Sequence, residues 1–145
     1  KKNHISYNLK YIVGALCGVI NSKKGEIRHV HDKEDYERSI RYYLLTGGTP
    51  RFNNISIVTK YYKEPGGLQT LGHRDWNKVD KSAKFLLEAY PDLSSINTKK
   101  KKTDPKTGKP WTEIVLRDKR EKKTFGKINT IPKKLIKELN NIKYI

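Results

Sequence analysis

The chain has 145 residues, with 32 Lys plus Arg against 15 Asp plus Glu, a formal charge of +17. At roughly 100 to 200 residues per domain, this is a single domain, residues 1–145, with a modest core, and not a two-domain enzyme. The one cysteine, Cys17, excludes an internal disulfide framework and a multi-thiolate zinc site, which both need several sulfurs at set spacing, and it points to a reducing, intracellular compartment.

A composition of 34% hydrophobic and 32% charged residues leans toward disorder, but 10% aromatics, nine of them Tyr, predict that most of the chain folds. The first element is the apolar run 11–20. With Lys1 and Lys2 upstream it has the outline of a signal peptide, yet Lys10 abuts it and Asn21-Ser22-Lys23-Lys24-Gly25 reads as a turn. The run is also well short of the roughly 20 apolar residues that span a bilayer. It is read as the first strand of a hairpin that returns through 26–30. A helix follows, with Asp32 as its cap, Glu34, Asp35 and Glu37 in the first turn where the dipole favours negative charge, and Tyr36, Ile40, Tyr43 and Leu44 as its apolar stripe. Gly47 and Gly48 end it.

Residues 54–62, with Ile55, Ile57 and Val58, read as a strand closed by Glu64-Pro65-Gly66-Gly67. After a polar loop, a second helix over about 78–90 buries Val79, Ala83, Leu86, Leu87 and Tyr90 and stops at Pro91. Residues 99–110 form a turn-rich loop. Residues 111–116 and 122–128 then flank Asp118-Lys119-Arg120-Glu121 as a hairpin. Thr130 caps a last short helix with Pro132 in its first turn and Leu135, Ile136 and Leu139 facing inward. The order predicts an α+β fold, a small mixed domain of antiparallel hairpins with about three helices.

Charge is uneven along this order. Residues 99–145 hold 16 Lys plus Arg against 5 Asp plus Glu, whereas residues 1–98 hold 16 against 10. A basic loop, hairpin and helix in sequence suit a phosphate backbone, because each neutralised phosphate releases condensed counterions without any base contact. The expected partner is therefore nucleic acid, DNA ahead of RNA, with no cofactor. Lys99, Lys100, Lys101 and Lys102 are expected to make loose phosphate contacts, Arg117, Lys119, Arg120, Lys122 and Lys123 the ordered ones, and Trp111 to stack. Arg74, in the loop His73-Arg74-Asp75-Trp76, suits phosphate or a base, with Trp76 tucked into the core as the alternative. The alternative for the whole set is a solvated, soluble face, but +17 exceeds the magnitude of about 2 to 8 that solubility requires. A membrane surface is not expected, since no predicted helix pairs a basic face with a broad apolar one.

The stretch Lys109-Pro110-Trp111-Thr112-Glu113-Ile114, the basic turn through Lys122-Lys123, and Thr124-Phe125-Gly126-Lys127-Ile128-Asn129-Thr130 before a helix together resemble the sheet-then-helix modules of the AP2 and integrase arm-binding type. The resemblance covers under a third of the chain and implies DNA contact by Trp111 and Arg117, with a backbone role for Lys123. Packing of Trp111 and Phe125 onto the core is the alternative.

A catalytic composition is found only at His29-Val30-His31-Asp32. On a strand, His29 and His31 share a face, with Asp32 adjacent. With Asn53-Asn54 downstream this resembles the ββα-metal (HNH) nucleases, which would use Mg or Mn, and the His pair also resembles rolling-circle initiators. Asp92 with Glu121-Lys122-Lys123 fits a PD-(D/E)XK spacing, in which carboxylates hold magnesium. A metal-dependent nuclease using His29, His31 and Asp32 is thus the second reading, and a basic structural protein of a virion or ribosome the third. The glycines form no nucleotide-phosphate loop.

Overall fold

Helix α1 (Glu34–Thr46) forms where the apolar stripe demands it, with Ile40, Tyr43 and Leu44 buried. The computed structural model describes residues 5–12, 17–18, 27–55, 57–58, 76–99, 102–103, 108, 110–126, 133–134 and 137. The start of α1 corrects the expected cap. The residue preceding the helix is Lys33, in the left-handed region at φ 61°, with no side-chain cap hydrogen bond. Such a φ costs a lysine about 1 kcal/mol. An ion pair from Lys33 Nζ to Glu113 Oε2 at 3.5 Å, and the Tyr36 ring 5.2 Å away, hold it there. The end is as expected: Gly47 adopts φ 78° and its N–H donates to the Tyr43 carbonyl at 2.9 Å, a conformation open to glycine.

Helix α2 (Trp76–Ala89) starts two residues before the predicted position. Val79, Ala83 and Leu86 are buried along with Ser82 and Phe85, while Lys81, Lys84 and Glu88 face solvent. Pro91 lacks the N–H that would extend the helix. The chain turns there instead, with Leu93 and Ser94 N–H both donating to the Tyr90 carbonyl at 3.0 Å and the Ser94 hydroxyl reaching the Leu86 and Tyr90 carbonyls at 3.1 and 2.9 Å. The buried faces of α1 and α2 meet Leu9, Val30, Tyr90, Leu93, Ile114 and Leu116 in one apolar cluster.

Three two-stranded antiparallel sheets complete the described structure. Strand β1 (Ile5–Ser6) pairs with β2 (Arg51–Phe52), Ile5 opposite Phe52. Strand β3 (Ser94–Ile96) pairs with β6 (Ile114–Leu116), and between them in the chain β4 (Lys102–Thr103) pairs with β5 (Pro110–Trp111). The two ladders are nested, with Asn97 N–H donating to the Glu113 carbonyl at 2.8 Å between them. The fold is α+β, with two helices delimited among the described residues.

Several strand assignments differ from expectation. Tyr11, Ile12 and residues 27–30 are not strand: the Ile12 N–H is used on the Ser39 hydroxyl at 3.0 Å, and the Tyr11 ring stacks on Tyr36 at 4.2 Å. The rest of that first hairpin, 13–16 and 19–26, lies outside the described residues. In 54–62, Asn54, Ile55, Ile57 and Val58 are not strand either, and the pairing falls earlier, at Arg51–Phe52; residues 56 and 59–62 lie outside the described set. The partner of 111–116 is not 122–128. Residues 122–126 are exposed and unpaired in any ladder, having no alternating apolar face to bury, whereas Ser94–Ile96 emerges beside the core directly from α2. In the last predicted helix, Lys133, Lys134 and Lys137 are helical and exposed; Thr130, Pro132, Leu135, Ile136 and Leu139 lie outside the described residues. No helix among the described residues is long and apolar enough to cross a membrane.

Candidate functional site

Strand β6 sets the orientation of the basic residues that follow it. Its ladder continues past Leu116, with Arg117 N–H donating to the Leu93 carbonyl at 2.9 Å and Lys119 N–H to the Asp92 carbonyl at 2.8 Å. The period of two therefore continues: Val115, Arg117 and Lys119 are exposed, while Ile114, Leu116, Asp118 and Arg120 turn inward. Arg117 and Lys119 share the solvent side, and Lys119 Nζ is steadied by the Ser94 carbonyl at 3.0 Å. Lys122, in a bend with Glu121, and Lys123 follow, both exposed.

Arg120, grouped with these cations from the sequence, is occupied within the fold. Its Nε and a terminal nitrogen donate to the two oxygens of Asp118 at 2.9 Å each, and its other terminal nitrogen donates to the Thr124 carbonyl at 3.0 Å. The guanidinium carbon lies 5.4 Å from the Phe125 ring and 6.0 Å from that of Tyr43. Hydrogen bonds from Arg120, helped by the Tyr43 hydroxyl at 2.8 Å, hold the Asp118 carboxyl well below the usual carboxylate range although burial opposes this. Burial, followed by the Asp118 contact, raises the Tyr43 phenol. This bidentate pair is a clamp that shapes 117–126, not a phosphate ligand.

The His cluster does not assemble as expected. Without a strand at 27–30, His29 and His31 have no common pleat face. The His29 backbone N–H donates to Glu37 Oε2 at 2.8 Å, and its Nδ1 bonds Glu37 Oε1 at 2.6 Å. The same carboxylate accepts from Val30 N–H at 3.2 Å and from the Tyr90 hydroxyl at 3.3 Å. Glu37 is fully buried, so His29 is used in anchoring a loop to α1, while His31 is exposed and Asp32 half-buried. Among the described residues, no group of three or more His, Cys, Asp and Glu side chains is placed to hold a metal ion. Asp92 and Glu121 are both exposed, and Glu121 sits in a bend, not in a strand.

On the nested hairpin, Lys99 is exposed and Lys102 pairs by its backbone with Trp111. The Trp111 indole is half-buried and donates to Glu113 Oε1 at 3.0 Å, which places it against the hairpin. Lys100, Lys101, His73 and Arg74 lie outside the described residues. The residues that sequence reasoning passed over are the internal acceptors. Glu37 was expected only as a dipole partner and Asp118 only as a turn residue, and no local pattern marks a carboxylate for burial.

These acceptors segregate the charge. Asp35 accepts from the Tyr11 hydroxyl. Asp80 accepts from Thr112 N–H at 2.7 Å and pairs with Lys84 at 2.6 Å. Glu37, Glu113 and Asp118 are likewise engaged. Among the described residues only Glu88, Asp92 and Glu121 are exposed carboxylates, whereas Arg28, Arg51, Lys81, Lys84, Lys99, Arg117, Lys119, Lys122, Lys123, Lys133, Lys134 and Lys137 are exposed cations. No family model, curated protein or solved structure matches this chain.

Proposed function

We propose that this is an intracellular nucleic-acid-binding protein that grips phosphates through the exposed cations after β6, namely Arg117, Lys119, Lys122 and Lys123, together with Lys99 and the neighbouring lysines of the nested hairpin. The observation that carries this reading is the segregation of charge. Among the described residues most carboxylates are drawn into internal hydrogen bonds while most cations, the buried Arg41 being an exception, stay outside, an exposed positive excess that attracts a polyanion and releases its counterions. DNA is placed ahead of RNA because a two-stranded ribbon fits the major groove of B-form DNA but not the narrow major groove of A-form RNA.

The test is fluorescence anisotropy with a short labelled duplex over a salt series, comparing the native chain with the Lys122→Ala/Lys123→Ala variant. Loss of two phosphate contacts should lower the slope of log K against log salt by about 2 and weaken binding roughly tenfold at moderate salt, equally for unrelated sequences. Unchanged affinity and slope would place the interface elsewhere. An absence of binding by the native chain at low salt would end the reading.

A further inference from the structure

We infer that, beyond gripping phosphates, the chain carries a stacking track for unpaired bases, formed by Phe125, Tyr7 and Phe52. This rests on the nucleic-acid reading above and adds a class of partner to it: single-stranded segments. Among the described residues these are the aromatic side chains with substantial exposure, at 40%, 60% and 53%, and all three lie along one path. The path crosses the turn that ends α1. A Cβ on Gly47 would stand 3.2 Å from the Phe125 ring, and one on the next residue, Gly48, would stand 3.0 Å from the Tyr7 carbonyl and 3.4 Å from its Cβ. Phe125 and Tyr7 therefore flank one dipeptide, within about 14 Å of each other by chain geometry. From Tyr7 the path enters the β1–β2 ribbon: Ile5, two residues before Tyr7, pairs with Phe52, which brings Phe52 within about 12 Å of Tyr7 by chain geometry.

The Phe125 ring is fixed in place although exposed, and the backbones of Tyr7 and Phe52 are anchored by hydrogen bonding and strand pairing. Phe125 meets Tyr43 edge to face at 5.5 Å and 87°, sits under the Arg120 guanidinium, and is followed by Gly126, whose N–H donates to the Leu44 carbonyl at 2.9 Å. The Tyr7 carbonyl accepts from Thr49 N–H at 3.2 Å. A ring held rigidly in water gains little from folding, but it offers a preorganised face to a base. Cations flank both ends of the track: Lys122 and Lys123 precede Phe125 in the chain, and Arg51 precedes Phe52, all exposed. Aromatic faces interleaved with cations match the repeat of a single strand, with its bases on one side and its phosphates beside them. A second copy of the chain, itself at +17, is the poorer occupant, because its own charge opposes the approach.

The experiment compares two probes of about 12 nucleotides, oligo(dT) and an abasic strand of equal length, which carry the same phosphates and differ only in bases. The native chain is expected to bind oligo(dT) at least about tenfold more tightly than the abasic strand. The Tyr7→Leu/Phe52→Leu variant, which alters only exposed rings, is expected to lose about thirtyfold on oligo(dT) and under about threefold on the abasic strand. Equal binding of both probes by the native chain would overturn the track while leaving the phosphate reading intact. So would a variant that keeps its oligo(dT) affinity, as a surface for a protein partner would, or one that loses both probes equally, as a structural role would. No binding of either probe by the native chain would remove the nucleic-acid reading itself, and the track with it.

Discussion

Glu37 shows how far one side chain can depart from what its surroundings in the sequence imply. In the first turn of α1 a carboxylate gains modestly from the helix dipole and normally stays in water. Here it is fully buried and gathers two backbone N–H groups, the His29 ring and the Tyr90 hydroxyl. Glu37→Ala leaves those donors without an acceptor, so the expected loss is about 3 to 5 kcal/mol, read as a lower urea midpoint, with Glu37→Gln milder because one oxygen still accepts. Asp118 contributes to the response to acid. Arg120 depresses its carboxyl in the folded state, so its stabilising contribution is present above the unfolded value of about 4 and is lost as pH falls through the lower folded value. Asp118→Asn should flatten the acid limb of the stability curve below about pH 4. The alkaline limb has the opposite origin. Burial raises the phenols of Tyr11, Tyr43 and Tyr90, and raises Tyr36 to about 12; stability from these neutral rings is complete below about pH 10 and declines as pH climbs past it.

Elements bounded by strong local chemistry were legible, and those that depend on a distant partner were not. The stripe Ile40, Tyr43 and Leu44 with Gly47 behind it defined the body and end of α1, and Pro91 defined the end of α2, because periodicity and backbone sterics act within a few residues. The partner of β6 was misread, since Ser94–Ile96 is too short and too polar to register as a strand until Ile114–Leu116 covers it. The end of α1 also makes a testable hinge between fold and surface. Gly47→Ala demands a positive φ of a residue with a Cβ and thrusts that Cβ against Phe125. The expected cost is about 1 to 2 kcal/mol in denaturant unfolding, with the Phe125 ring displaced from Tyr43.

At the scale of the whole molecule, the decisive fact is where the two signs of charge end up. Composition established the excess of cations and its concentration in residues 99–145, and the proposed polyanionic partner with salt-dependent affinity rests on it, to be checked by the salt slope of the Lys122→Ala/Lys123→Ala variant. The candidate residues divide on tertiary grounds. Arg117, Lys119, Lys122 and Lys123 face water because the β6 ladder and the bend after it aim them there. Arg120 turns inward on the same alternation, and His29 is tied to a carboxylate that lies on another element. The amino-acid sequence by itself determined the α+β class, the two helices and the overall charge, since these follow from composition and from contacts between near neighbours in the chain. Only the tertiary structure decided which cations stay exposed, which carboxylates turn into the interior, and that Phe125, Tyr7 and Phe52 fall on one path. Those outcomes depend on approaches between segments tens of residues apart, for which no local pattern in the chain carries a signal.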